Sequence, residues 1–201
     1  MGKQLIISVG REFGSGGHVI AKLLADHYAL PLYDRNILDE VSKAKNVSAE
    51  ELHQYDEVPK SRLLTRSVRG FTNSIEENVA QLQFKYLKYI ASEGRSFVVL
   101  GRCAETVLKG NKGLVSVFVL GDRESKIQRT MECEKLTRSE AESKLDRHDK
   151  SRKVYHNSHS DGKWGDSRSY DLCINSSRLG IEETAAVIID FIDRKIKADN
   201  S

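Results

Sequence analysis

The chain has 201 residues, 39% of them hydrophobic and 30% charged, with a formal net charge of +3. That is the composition of one soluble globular domain spanning 1–201 and long enough to bury a core, which excludes fibrous and disordered classes. The charge is too small to argue for nucleic acid, and no apolar run is long enough for a membrane span or an export signal.

Leu5-Ile-Ile-Ser-Val9 reads as a buried strand, β-branched and bounded by glycine. Gly10-Arg-Glu-Phe-Gly-Ser-Gly-Gly17 follows, and from His18 the apolar positions Val19, Ile20, Leu23 and Leu24 keep a helix period. Strand, glycine loop and helix form the context of a phosphate-binding loop, where bare backbone N–H groups and the helix N-terminus meet an anion. A side chain at Gly16 is expected to block that approach. The loop departs from the usual G-x-x-x-x-G-K-[ST]. Laid on Arg11–His18, that pattern matches at Gly16 only. Arg11 takes the first glycine position, Gly17 the lysine position and His18 the Mg²⁺-binding hydroxyl position. A tight turn without ligand stays open as the alternative, as does a surface ion pair of Arg11 with Glu12.

Pro31 closes the first helix, and Asp34 is a candidate cap for a helix over 35–44 carrying Ile37, Leu38 and Val41 on one face. Ser48 to Glu51 matches a capping box and predicts a short helix through Tyr55. Periodicity is lost over 57–74, where basic residues punctuate either a solvated segment or a flexible flap. Ile75, Val79, Leu82, Tyr86 and Ile90 mark a long amphipathic helix ended by Gly94.

Phe97–Leu100 is a second buried strand, followed at once by Gly101 and Arg102, the position at which open α/β sheets bind ligands. Leu114–Leu120 is a third, and Asp122 is expected to cap a helix over 123–133. From 135 to 168 the chain holds nine Lys/Arg against six Asp/Glu and little apolar content after Leu145, which suggests a charged helical lid. Thr137 to Glu140 is a capping box there. His148, His156 and His159 fit no common metal spacing. Residues 170–175 form a last strand, and Ile181 to Ile196 a last helix, with Glu182 and Glu183 in its favourable first turn. Strands alternating with helices predict a parallel sheet. Cys103, Cys133 and Cys173 lack paired spacing and read as reduced thiols of a cytoplasmic protein.

Several of these segments together resemble the cytidylate kinase-like family. The opening from Ile7 to Leu38 is similar to that family's start, where S/G-R-x-F-G-S-G-G replaces the lysine-bearing loop. Leu100-Gly-Arg-Cys-Ala104 resembles its G-R-C-A, Asp149-Lys-Ser-Arg152 its D-K-x-R, and Trp164-Gly-Asp166 with Tyr170–Asn175 its W-x-D…Y-D-L-x-I-N. The resemblance implies a three-layer α/β P-loop kinase fold, a parallel sheet flanked by helices with a helical lid. It implies transfer of the γ-phosphate of ATP, with Mg²⁺, to CMP, dCMP or a related small acceptor.

By the same resemblance Gly14, Ser15, Gly16, Gly17 and His18 form the donor-phosphate site. Asp34, Arg35 and Arg102 form the acceptor site. Arg147, Asp149 and Arg152 belong to the lid; apart from the resemblance, the permanent charge of Arg11 and Arg152 makes them candidates to act on the transferring phosphate in place of the absent lysine. No residue is assigned to a metal. Relatives carry Thr-Gly where Arg35 and Asn36 stand, and Asp where Cys103 stands, so one cytidine contact is absent. The expected partners are a nucleotide donor and a small acceptor, without nucleic acid or membrane, and homo-oligomerisation stays open. A non-catalytic nucleotide-binding module is the competing reading, favoured by the missing lysine and hydroxyl.

Overall fold

The computed structural model describes residues 3–34, 36–45, 67–68, 71–72 and 75–198. In chain order the strands are β1 (Ile6–Arg11), β2 (Leu32–Tyr33), β3 (Ser67–Val68), β4 (Phe71–Thr72), β5 (Phe97–Leu100), β6 (Leu114–Leu120) and β7 (Leu172–Asn175). The helices are α1 (Gly17–His27), α2 (Ile37–Lys45), α3 (Ile75–Ser92), α4 (Ala104–Val107), α5 (Arg123–Glu134), α6 (Arg138–His159) and α7 (Gly180–Ala198). The sheet runs β2-β5-β1-β6-β7, parallel throughout, and β3 and β4 form a separate antiparallel pair.

Strand side chains alternate between two buried faces, which is why the central strands read as unbroken apolar runs. Ile6, Phe97 and Val99 pack with Ile37 and Leu38 of α2 and Leu87 and Ile90 of α3. Ile7, Val9, Val98 and Leu100 pack on the opposite face with Ile20 and Leu24 of α1 and Ile188 and Ile192 of α7. Each such side chain taken fully out of water contributes about 1.5–3 kcal/mol. The result is the expected three-layer α/β architecture. The connections leaving β1 and β5 lie on opposite faces, since α1 joins one core and Ala104 and Leu108 the other. A crevice therefore opens between the carboxyl ends of these two neighbouring strands.

Two boundaries differ informatively from the sequence reading. β1 continues past Val9, because Gly10 and Arg11 stay in register with Phe118 and Val119. A Cβ on Gly10 would stand 2.8 Å from the Phe118 ring, so this glycine serves close packing within the strand. The segment expected to be a lid is largely one 22-residue helix, α6, started by the Thr137–Glu140 capping box. It is anchored near both ends, by Ala141 and Leu145 and by Tyr155 and His156. Its N-terminal half packs with Ile127 of α5 and with Phe13, which places α5 and α6 over the glycine loop. The helix expected over 48–55, and most of 57–74, lie outside the described residues. Among the described residues no helix is long and apolar enough to cross a membrane.

Candidate active site

The loop between β1 and α1 is glycine-rich because packing and backbone both demand it. Gly14 (φ 73°) and Gly16 (φ 79°, the N-cap of α1) are left-handed. A Cβ on Gly14 would meet the Lys126 carbonyl oxygen at 2.8 Å, and one on Gly16 would meet Ile181 of α7 at 2.9 Å. This corrects the expectation at Gly16: a side chain there collides with α7 and strains the backbone before it reaches a bound phosphate. Ser15 is a second correction. Its side chain is fully buried, its hydroxyl donates to the Glu12 carbonyl at 2.8 Å, and its own carbonyl accepts from the Ser176 hydroxyl at 2.6 Å. Gly14, Gly16, Gly17 and His18 line the cleft beside the loop, and Ser15 does not.

That cleft has a volume of about 510 Å³. Among the described residues four arginines reach it: Arg11 from the end of β1, Arg102 from beyond β5, Arg129 from α5 and Arg152 from α6. Arg11 and Arg102 each stand two residues past the paired Val9 and Leu100. Arg11 is buried in the cleft wall rather than displayed on the surface. Arg102 is 2% exposed, and Gly101, Arg102 and Cys103 all take left-handed backbone (φ 76°, 61° and 50°). Non-glycine residues there cost about 1–3 kcal/mol each, strain that concentrates at functional sites.

Asp34 faces this arginine instead of capping α2. Its carboxylate lies 3.6 Å from Arg102 Nη2 and 3.2 Å from His18 Nδ1, joining the expected acceptor and donor ends. Arg35 lies outside the described residues.

The loop is fastened from α5 and α6 by residues the sequence reading missed. Arg129 Nη1 donates to the Gly14 carbonyl at 2.6 Å. Lys126, 7% exposed, donates to Glu12 Oε2 at 2.8 Å and to Asp149 Oδ2 at 3.2 Å. Asp149 Oδ1 accepts from the Phe13 N–H at 2.6 Å, so this expected lid residue works as a tie to the loop. The Phe13 ring stacks on His148 (centroids 4.5 Å apart, 9° between planes), with the Arg152 guanidinium 5.7 Å away. Burial, and then Arg152, Arg147 and Lys144, hold the His148 pKa below the ordinary histidine value. Arg147, also expected in the lid, is exposed and borders a separate depression with Lys150, outside the cleft.

Behind the cleft, His156 Nε2 hydrogen-bonds Glu105 Oε1 at 2.7 Å with both side chains buried. This pair joins α6 to α4, directly after Arg102. Burial, then the Glu105 charge, pushes the Tyr170 phenol up beside it. The three histidines go to separate partners, with His159 Nδ1 near the Tyr155 carbonyl at 2.8 Å. Among the described residues no three His, Cys, Asp or Glu side chains group as a metal site.

The profile of the "Cytidylate kinase-like family" matches residues 6–178. A crystal structure of an uncharacterized protein from Eubacterium ventriosum is 39% identical, with a TM-score of 0.76 over 94% of this chain and 99% of that one. Shikimate kinase from Bacteroides thetaiotaomicron superposes with a TM-score of 0.54 at 12% identity, covering 94% of this chain and 98% of that one. Shikimate kinase from Acinetobacter baumannii, in complex with shikimate, gives 0.53 at 16%, covering 94% and 93%. These two share the fold. No curated protein matches the chain.

Proposed function

The chain belongs to the cytidylate kinase-like family, and from that premise we propose that it is an ATP-dependent phosphotransferase acting on a nucleoside monophosphate such as CMP or dCMP, or on a related small acceptor. One observation carries the reading: four arginines and the N-terminus of α1 converge on one cleft at the carboxyl ends of β1 and β5. Phosphoryl transfer requires in-line placement and charge neutralisation more than covalent help. The backbone of Gly14, Gly16 and Gly17 holds the donor phosphates, and Arg11, Arg129 and Arg152 neutralise them as two-pronged, permanently charged donors. Arg102, steadied by Asp34, holds the acceptor.

Mg²⁺ in such sites needs one or two carboxylates together with phosphate oxygens and water, rather than a cage of protein ligands. Asp34, Glu12 and Glu134 line the cleft and are the carboxylates that would be at hand to hold it. The ion would offset charge on the phosphates. Cys103, where relatives carry an acceptor-binding Asp, leaves one cytidine contact absent, so the acceptors to test extend beyond CMP and dCMP.

A second reading, a nucleotide-binding module without turnover, is favoured by Gly17 and His18 where lysine and a hydroxyl are usual. A ³¹P assay of ATP with a panel of monophosphates and shikimate-like alcohols, with Mg²⁺, separates the two. Consumption of one acceptor supports the kinase. Micromolar ATP binding with no acceptor consumed replaces it by the module.

A further inference from the structure

A side chain at position 17 and the arginine at position 11 exclude each other. A Cβ on Gly17 would stand 2.5 Å from Arg11 Cβ and 3.1 Å from Arg11 Cγ. Neither contact is with the loose end of a flexible chain. Arg11 Cβ is fixed by the strand, in register with Val119 and buried. The Arg11 stem thus passes over the first turn of α1, across the point from which a phosphate-loop lysine would depart. The usual loop has glycine at its first position and lysine at its seventh. This chain has arginine at the first and glycine at the seventh, the same two slots exchanged.

We propose that Arg11 brings to the β- and γ-phosphates of a nucleoside triphosphate, from the strand side, the charge that a phosphate-loop lysine brings from the helix side. Gly17 is bare so that the arginine can cross. The inference rests on the cleft being a triphosphate site. It goes further in stating that the loop is exchanged rather than degenerate, and that the two positions must change together. The exchange substitutes a planar fork, always protonated, for a compact ammonium. Arg11 also borders the small cavity behind the cleft that Arg102 and Arg152 line.

The test is a four-member set: the parent, Arg11→Gly, Gly17→Lys and the double variant. Binding of ATP and of inorganic tripolyphosphate is measured by calorimetry, and folding by thermal melts. Arg11→Gly is expected to weaken both ligands by more than about tenfold. Gly17→Lys alone is expected to melt lower and to bind more weakly. The double variant is expected to recover the melting temperature of Arg11→Gly and to bind better than either single change. Gly17→Ala supplies a readout independent of ligand: it should lower the melting temperature in the parent and leave it unchanged beside Arg11→Gly. Arg11→Gly binding within twofold of the parent overturns the proposal, as does a Gly17→Lys variant as stable and as tight-binding as the parent. A folded double variant no better than the worse single one also overturns it. If the parent binds neither ligand, the triphosphate reading itself fails and the proposal with it. If the parent binds and Arg11→Gly does not matter, only the exchange is wrong.

Discussion

Arg102 keeps its charge almost wholly out of water, with the Asp34 carboxylate 3.6 Å away and strained left-handed backbone at Arg102 itself and at Cys103. A buried guanidinium is costly unless hydrogen-bonded anions face it, so a bound phosphate gains most at this position. Arg152 stands on α6 at the rim, over Phe13, where it reaches the cleft without fixing its floor. Arg102→Lys is therefore expected to raise the acceptor KM by about tenfold or more, while Arg152→Ala chiefly lowers kcat. Steady-state kinetics with the acceptor found by ³¹P assay checks both, and identical effects on the two parameters in both variants would refute the division. Arg102 was legible in the sequence because it follows a buried strand, whose end fixes where the next side chain begins. Arg129 was not, because on a polar helix its direction depends on how α5 packs over Phe13. Ser15 misled for the opposite reason. A serine within a glycine loop looks like a ligand, yet its hydroxyl closes the turn onto Glu12.

The glycine loop is held as an element, clamped by α5 and α6. Lys126 is the centre of the clamp, since Glu12 and Asp149 would repel each other without it. Lys126→Met is expected to cost about 3 kcal/mol by leaving two part-buried carboxylates without their cation. Urea unfolding measures this, and Asp149→Asn in the same background should recover part of the loss. His148 gives the clamp a pH dependence. Its pKa in the folded protein is lowered, chiefly by burial, so the unfolded chain takes up the proton first as pH falls. Its contribution is complete above about pH 6.5, the ordinary histidine value, and is lost as pH falls through the lowered one. Thermal melts between pH 7.5 and 5 should show this acid-side loss, and His148→Phe should flatten it; an unchanged slope would discount the Phe13 stack. None of this clamp could be read from periodicity. α6 buries only Ala141, Leu145, Tyr155 and His156 along 22 residues, so its sequence looks like a solvated arm although both ends are anchored. β1, by contrast, is predictable except at its end, where Gly10 looks like punctuation and is a packing residue of the strand.

At the scale of the molecule, α6 links the two halves of the cleft. It is about 33 Å long at 1.5 Å per residue. Asp149 ties it to the donor loop through Phe13, and His156, two turns further on, ties it to Glu105 just past Arg102. Thr106 Oγ1 and Ser160 Oγ, 2.8 Å apart, add a second tie at the same end. A helix held so firmly cannot follow one site without shifting the other, so donor and acceptor binding should be coupled. By linkage the effect must be reciprocal, and coupling of this kind typically amounts to about 5–150-fold. Calorimetry with a non-hydrolysable triphosphate, with and without a saturating monophosphate acceptor, is expected to show mutual tightening. In a Thr106→Val background, which removes the second tie and the Thr106 hydrogen bond to Glu105, His156→Phe removes the remaining tie at the acceptor end and leaves Glu105 buried without its partner, a loss of about 1–3 kcal/mol in stability. His156→Gln, which can still donate to Glu105, should restore most of that stability. In the Phe variant the triphosphate alone should bind as in the parent, because its loop contacts are untouched, while the mutual tightening falls towards unity. Tightening that survives in a folded protein carrying both Thr106→Val and His156→Phe would show that the two ends communicate through the sheet rather than through α6.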